Sequence, residues 1–173
     1  MQRRALSNVV ATVLLIIVTI TGVLIIAGIV VPLVRNTLAN ASSCTDYQAY
    51  FSFSDEFGFN CFDSSTNTYI ISVSAKPTTE ELASKVEGFY LVFKTSTSSE
   101  SAEVKGGNSP GTNGITMTGD STAPIAIPRQ GQTFTYNYTV ASGSPRFSKV
   151  EIVPILEGGH ACTKTDVAEI RDC

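Results

Sequence analysis

Tryptophan is missing from this sequence, and histidine occurs once, at His160. Basic residues are outnumbered, 12 Lys and Arg against 15 Asp and Glu, for a formal charge of −3. A nucleic-acid surface needs a basic, clustered footprint, so that class drops out. One histidine leaves little material for acid–base or metal chemistry. No Gly-Lys-Ser/Thr phosphate cradle and no EF-hand spacing occurs. His160 and Cys162 are two of the four ligands a zinc site wants. Asp55, Glu56 and Asp63 are a weak calcium candidate, read more simply as a solvated acidic loop. The chain therefore reads as non-enzymatic, with no cofactor and no metal site.

Charge is missing altogether from Val9 to Val34, where 18 of 26 residues are Val, Leu or Ile. Each such side chain left in water forfeits about 1.5–3 kcal/mol of burial. At about 1.5 Å per residue the stretch makes a helix longer than the ~30 Å hydrocarbon core of a bilayer. It has no polar stripe, so lipid or other helices must surround it. The expected contact positions are Val9, Val13, Ile16, Ile20, Val23 and Val30. Gly22, Ala27 and Gly28 are small enough to let another backbone approach. Thr12, Thr19 and Thr21 can return their hydroxyls to carbonyls about four residues back. Pro32 lacks an N–H and crowds the carbonyl of Gly28, which predicts a bend or loosening over Gly28–Pro32. Ser7 is the expected cap of the helix start. Arg35 and Asn36 mark emergence into water, with the helix continuing to about Ala41.

Arg3 and Arg4 precede the stretch, which keeps the N-terminus cytoplasmic and exports the remainder. All four cysteines, Cys44, Cys61, Cys162 and Cys173, follow it. An even number on one side of a membrane-length helix predicts two disulfides in an oxidising compartment. Of three pairings, Cys44–Cys61 and Cys162–Cys173 are expected because each closes a short local loop. Two sequons, at Asn40 and Asn137, are N-glycosylation candidates in an exported chain. A cleavable secretory signal would have a shorter apolar core and an earlier small-residue site.

After Cys44 the helical period vanishes. Tyr69–Ser74, Glu87–Lys94, Thr133–Val140 and Lys149–Leu156 read as strands, and Ala49–Phe53 as a weaker one. Pro154 suggests an edge or a bulge. Thr79–Val86 hints at a short helix, and Thr95–Gly114 reads as connection. The predicted fold class is α+β: a long N-terminal hydrophobic helix, then an antiparallel β-sandwich of about seven strands, Ig-like in kind. The expected organisation is a basic leader over 1–5, the helix over 6–43 and an extracellular β-domain over 44–173.

The run Arg3-Arg4-Ala5 followed by Leu6-Ser-Asn-Val-Val-Ala-Thr-Val-Leu-Leu-Ile-Ile-Val-Thr19 resembles the start of archaeal type IV pilins, in the pilin and archaellin superfamily. The resemblance covers about the first 35–40 residues. It implies that a prepilin peptidase cuts on the cytoplasmic side between Ala5 and Leu6. It also implies that the helix waits in the membrane and later packs with its copies in the core of an extracellular filament. A cognate assembly ATPase and membrane platform are implied with it. Bacterial type IV pilins usually carry Glu at the fifth mature position, which is Val10 here, so the archaeal branch fits better. The function expected is a filament subunit for surface attachment. The alternatives are an archaellin, or a single-pass tether carrying an extracellular binding domain.

Overall fold

The computed structural model describes residues 3–34, 44–56, 58–141 and 143–173, with side chains in the first helix from residue 10 onward. The chain falls into two units, Met1–Ser42 and Ser43–Cys173.

In the first unit, helix α1 spans Arg3–Ile25. Ser7 does not cap it: the helix begins four residues earlier, because Arg3, Arg4, Ala5 and Leu6 are all good helix formers and nothing there breaks the chain. A π-turn, Ile26–Val30, follows, in which the Val31 N–H donates to the Ile26 carbonyl. Ordinary helix resumes over 31–34. The loosening expected around Gly28–Pro32 thus takes the form of one wide turn. Widening to an i→i+5 bond relieves the carbonyls that a proline crowds and leaves unpaired. The expected continuation to Ala41, with Arg35, Asn36 and Asn40, lies outside the described residues.

The second unit is two sheets facing each other across one core, so the chain is α+β. The first sheet has the order β11-β2-β3-β7-β6, with β1 also on β3. Its strands are β1 (Phe51–Phe53), β2 (Cys61–Asp63), β3 (Thr68–Ala75), β6 (Ile115–Met117), β7 (Thr133–Thr139) and β11 (Arg171–Asp172). The second has the order β10-β8-β4-β5, with β9 also on β8. It contains β4 (Val86–Lys94), β5 (Ser99–Lys105), β8 (Lys149–Leu156), β9 (His160–Ala161) and β10 (Asp166–Glu169). A short helix α2, Glu80–Ser84, precedes β4.

The long strands form where alternation predicts them. Phe89, Leu91 and Phe93 of β4 are fully buried, as are Tyr69, Ile71 and Val73 of β3 and Tyr136 of β7. Rings from the two sheets meet in the middle: Phe51 lies 4.8 Å from Phe89, and Phe93 stacks on Tyr138 at 4.6 Å between centroids. Such pairs add about 0.5–1.5 kcal/mol each beyond their buried area.

Three expectations are corrected. Ser99–Lys105, read as connection, is edge strand β5; only Ala102 and Val104 point inward, so its polar residues hide the period. The sheets are not wholly antiparallel, because β11 runs parallel to β2. Pro154 is neither at an edge nor in a bulge. It lies inside β8, opposite Phe89 of β4, where the partner on the other side changes from β10 to β9. Cys162 N–H donates to the Pro154 carbonyl at 2.9 Å, so the missing proline N–H faces that same gap, where no strand asks for it.

Strand β3 has a matching gap between β1 and β2, and there the solution is Asn60. Its Oδ1 accepts from Ser72 N–H at 3.1 Å, and its Nδ2 donates to the Ser54 carbonyl and to Asp55. Asn60 also takes φ 73°, a left-handed conformation that Asn tolerates. The one bulge in β4 is at Val86–Gly88, where a Cβ on Gly88 would stand 2.2 Å from the Val104 carbonyl oxygen.

Candidate functional site

The helix is the first candidate. Val10–Val34 is long and apolar enough to cross a membrane. Every large apolar side chain described there is exposed, from 40 % at Val31 to 66 % at Leu15. These include Val13, Ile16, Ile20, Val23 and Val30, at positions expected for contact. Thr19 donates to the Ile16 carbonyl at 2.9 Å, and Thr21 to Ile17 and Val18 at 2.9 and 3.0 Å. Those hydroxyls are therefore satisfied inside the helix and ask nothing of the surroundings. Around Gly22 and Gly28 nothing beyond the neighbouring residues and the helix's own backbone comes within 4 Å of where a Cβ would stand. Ala5 and Leu6 lie within α1, and the side chains of residues up to Val9 are outside the described set. An apolar helix of this length points to membrane anchoring or a signal sequence.

The second unit is held by disulfides, and they differ from the expected local loops. Cys44 pairs with Cys162, and Cys61 with Cys173. The reason is the sheet order. Strand β11 lies beside β2, with Arg171 level with Cys61, so the residues that follow bring Cys173 back to Cys61. Cys162 leaves β9 on the other sheet, where Cys44 reaches it. The tail beyond Cys162 adds β10 to one sheet and β11 to the other, so it carries Cys173 away from Cys162. Two disulfides point to an oxidising, extracellular compartment for this domain.

The remaining candidates separate. Cys162 is spent in a disulfide and His160 is exposed on the β8–β9 hairpin, so they offer no thiolate–imidazole pair. Asp63 closes a turn, accepting from Ser65 N–H at 2.8 Å and from the Ser65 and Thr66 hydroxyls. Those bonds hold its carboxyl below the ordinary value. Asp55 accepts from Asn60. Among the described residues, no three His, Cys, Asp or Glu side chains converge to hold an ion. Gly107-Asn108-Ser109-Pro110-Gly111 has the spacing of a serine-nucleophile turn. It lies in the loop after β5 and is followed by a single 3-10 turn, Thr112–Gly114, rather than by an α-helix, and no hydrogen bond among the described residues joins Ser109 to His160.

Asn137 sits on the outer face of β7, between Ile70 and Thr116. It is half-buried, and its Oδ1 accepts from the Thr118 hydroxyl at 2.8 Å. An open cleft of about 410 Å³ lies where β10 meets the β1–β2 loop, lined by Phe53, Asp55, Asn60, Asp166, Glu169 and Arg171. Asp166 is committed there as a stitch between sheets, its Oδ2 accepting from Phe53 N–H at 2.9 Å. Asn60 and Asp166 carry no motif, and only the fold shows their work.

Comparison with family models, curated proteins and solved structures finds no match to this chain.

Proposed function

We propose that this chain is the structural subunit of an extracellular filament of the archaeal type IV pilin kind, serving attachment to surfaces. The observation that supports it is the helix: 25 residues, apolar on every side, with its threonine hydroxyls bonded internally where described. Once out of lipid, such a helix needs apolar neighbours all round, and a bundle of its own copies supplies them. Identical subunits related by a rotation that does not close give an open helical polymer. Gly22, Ala27 and Gly28 allow close approach there, and the wide turn before Pro32 gives the helix a place to adjust. The β-domain, Ig-like in this reading, coats the outside and carries a glycan at Asn137, and Asn40 carries another on the segment ahead of the domain.

In this reading the precursor waits in the cytoplasmic membrane. A prepilin peptidase cuts between Ala5 and Leu6, and an assembly ATPase with its membrane platform drives growth. Removal of Arg3 and Arg4 makes the formal charge two units more negative than −3. The test is negative-stain microscopy of sheared cell-surface material with an intact-mass measurement on the subunit. Filaments whose subunit begins at Leu6 are expected. A cell-bound protein that keeps Arg3 and Arg4 and forms no filament would replace this reading with a membrane-tethered binding domain.

A further inference from the structure

The order of the cysteines along the chain gives the second unit a property that local loops would not. Cys44 pairs with Cys162 and Cys61 with Cys173, so the two bridges interleave. We infer that the β-domain is a covalently closed body that survives any single backbone cleavage between Cys44 and Cys173, so that it can leave its helix only through a cut ahead of Cys44.

A cut between Cys44 and Cys61 leaves the helix piece with Cys44, which is still bonded to Cys162 in the other piece. A cut between Cys61 and Cys162 leaves two bridges across the break. A cut between Cys162 and Cys173 leaves the tail held by Cys61. Hydrolysis consumes one water per peptide bond and touches no sulfur, so neither bridge is lost. Between Cys44 and Cys173 the longest exposed runs lie in the doubly bridged interval. Residues 96–100, 106–113 and 118–122 are largely exposed loop or strand end, and all lie in the doubly bridged interval. Cleavage sites concentrate in such exposed segments. Cys61 is itself buried, which shields one sulfur of the tail bridge from exchange. The property holds whether the helix sits in a membrane or in a filament, so it stands apart from the proposed function.

The experiment uses the full chain with a site-specific protease sequence inserted between Gly119 and Asp120, in an exposed loop. After complete cleavage, a denaturing gel should show one species without reductant and two fragments after reduction, and the unreduced intact mass should exceed that of the uncut chain by one water. A second insertion, between Gln48 and Ala49, should behave alike with all four cysteines. It should release the helix fragment without reductant once Cys44→Ser and Cys162→Ser are introduced. In that same double variant the Gly119–Asp120 cut should still be bridged, by Cys61–Cys173. If the four-cysteine chain cut between Gly119 and Asp120 separates into two bodies without reductant, the inference is overturned, and that result needs no cysteine variant to fold.

Discussion

At the scale of single residues, a few side chains settle what the strands leave open. Asn60 fills the gap between β1 and β2, and Asn60→Ala would leave the buried Ser72 N–H without its partner. An unsatisfied buried donor costs about 1–3 kcal/mol, and Ala is also less at ease than Asn at positive φ. The variant should lose stability of that order in a denaturant titration of the isolated 44–173 domain. Gly88→Ala should be as damaging, because the added Cβ meets backbone rather than a yielding side chain. Overpacking of this kind typically costs about 1–3 kcal/mol. Glu151 supplies a pH dependence. Hydrogen bonds from Lys94, at 2.7 Å, and from Lys164, at 3.0 Å, hold its carboxyl below the ordinary value of 4.5. A lowered folded pKa stabilises the fold above the unfolded value, and that contribution is lost as pH falls through the folded one. Thermal melts from pH 7 downward should show this loss beginning below about pH 4.5, and Glu151→Gln should flatten that limb. A variant melting with the same acid slope as the parent would assign the dependence to other carboxylates.

At the scale of elements, the helix and the sheets face opposite demands. The described hydrogen bonds of Thr19, Thr21 and the wide turn are all local, which suits an environment without water. Val23→Asp puts a charge in mid-helix, at a cost near 3 kcal/mol at a bilayer centre. In the filament reading, a buried unpaired charge recurs in every subunit. Filaments should disappear on microscopy, while the 44–173 domain still folds. Normal assembly of Val23→Asp would show that the helix is not the filament core. In each sheet one long inner strand, β3 in the first and β8 in the second, is flanked on one side by two short strands in place of one long one. The gap is filled by Asn60 in one sheet and emptied of its donor by Pro154 in the other.

At the scale of the whole chain, the disulfides set what unfolding must undo. Each spans more than a hundred residues, 118 for Cys44–Cys162 and 112 for Cys61–Cys173. Long closed loops remove the most entropy from the unfolded chain in the loop-closure view. Removing Cys44–Cys162 with paired serines should therefore cost about 2–5 kcal/mol, read as a shift in the denaturant midpoint. Non-reducing peptide mapping checks the pairing directly, and a Cys44–Cys61 peptide would reinstate the local loops.

Elements whose signal is local are legible from residue order alone. An uncharged run of Val, Leu and Ile has one helical answer. The alternation of Phe134, Tyr136 and Tyr138, or of Phe89, Leu91 and Phe93, names both a strand and its inner face, because side chains on a strand alternate between faces. Pro32 and Gly28 announced a loosened helix, although not that it would be a π-turn. Which strands became neighbours was settled only by folding. Edge strand β5 was hidden because solvent accepts its Ser and Glu. The role of Asn60 was hidden because the gap it fills is made by strands from both sides of it in sequence. The cysteine pairing was hidden for the same reason: nearness along the chain favoured short loops, while the parallel docking of β11 on β2 brought Cys173 to Cys61 across 112 residues. Spacing along a chain reports on contacts a few residues long, and strand order is fixed by the burial of all the inner faces together.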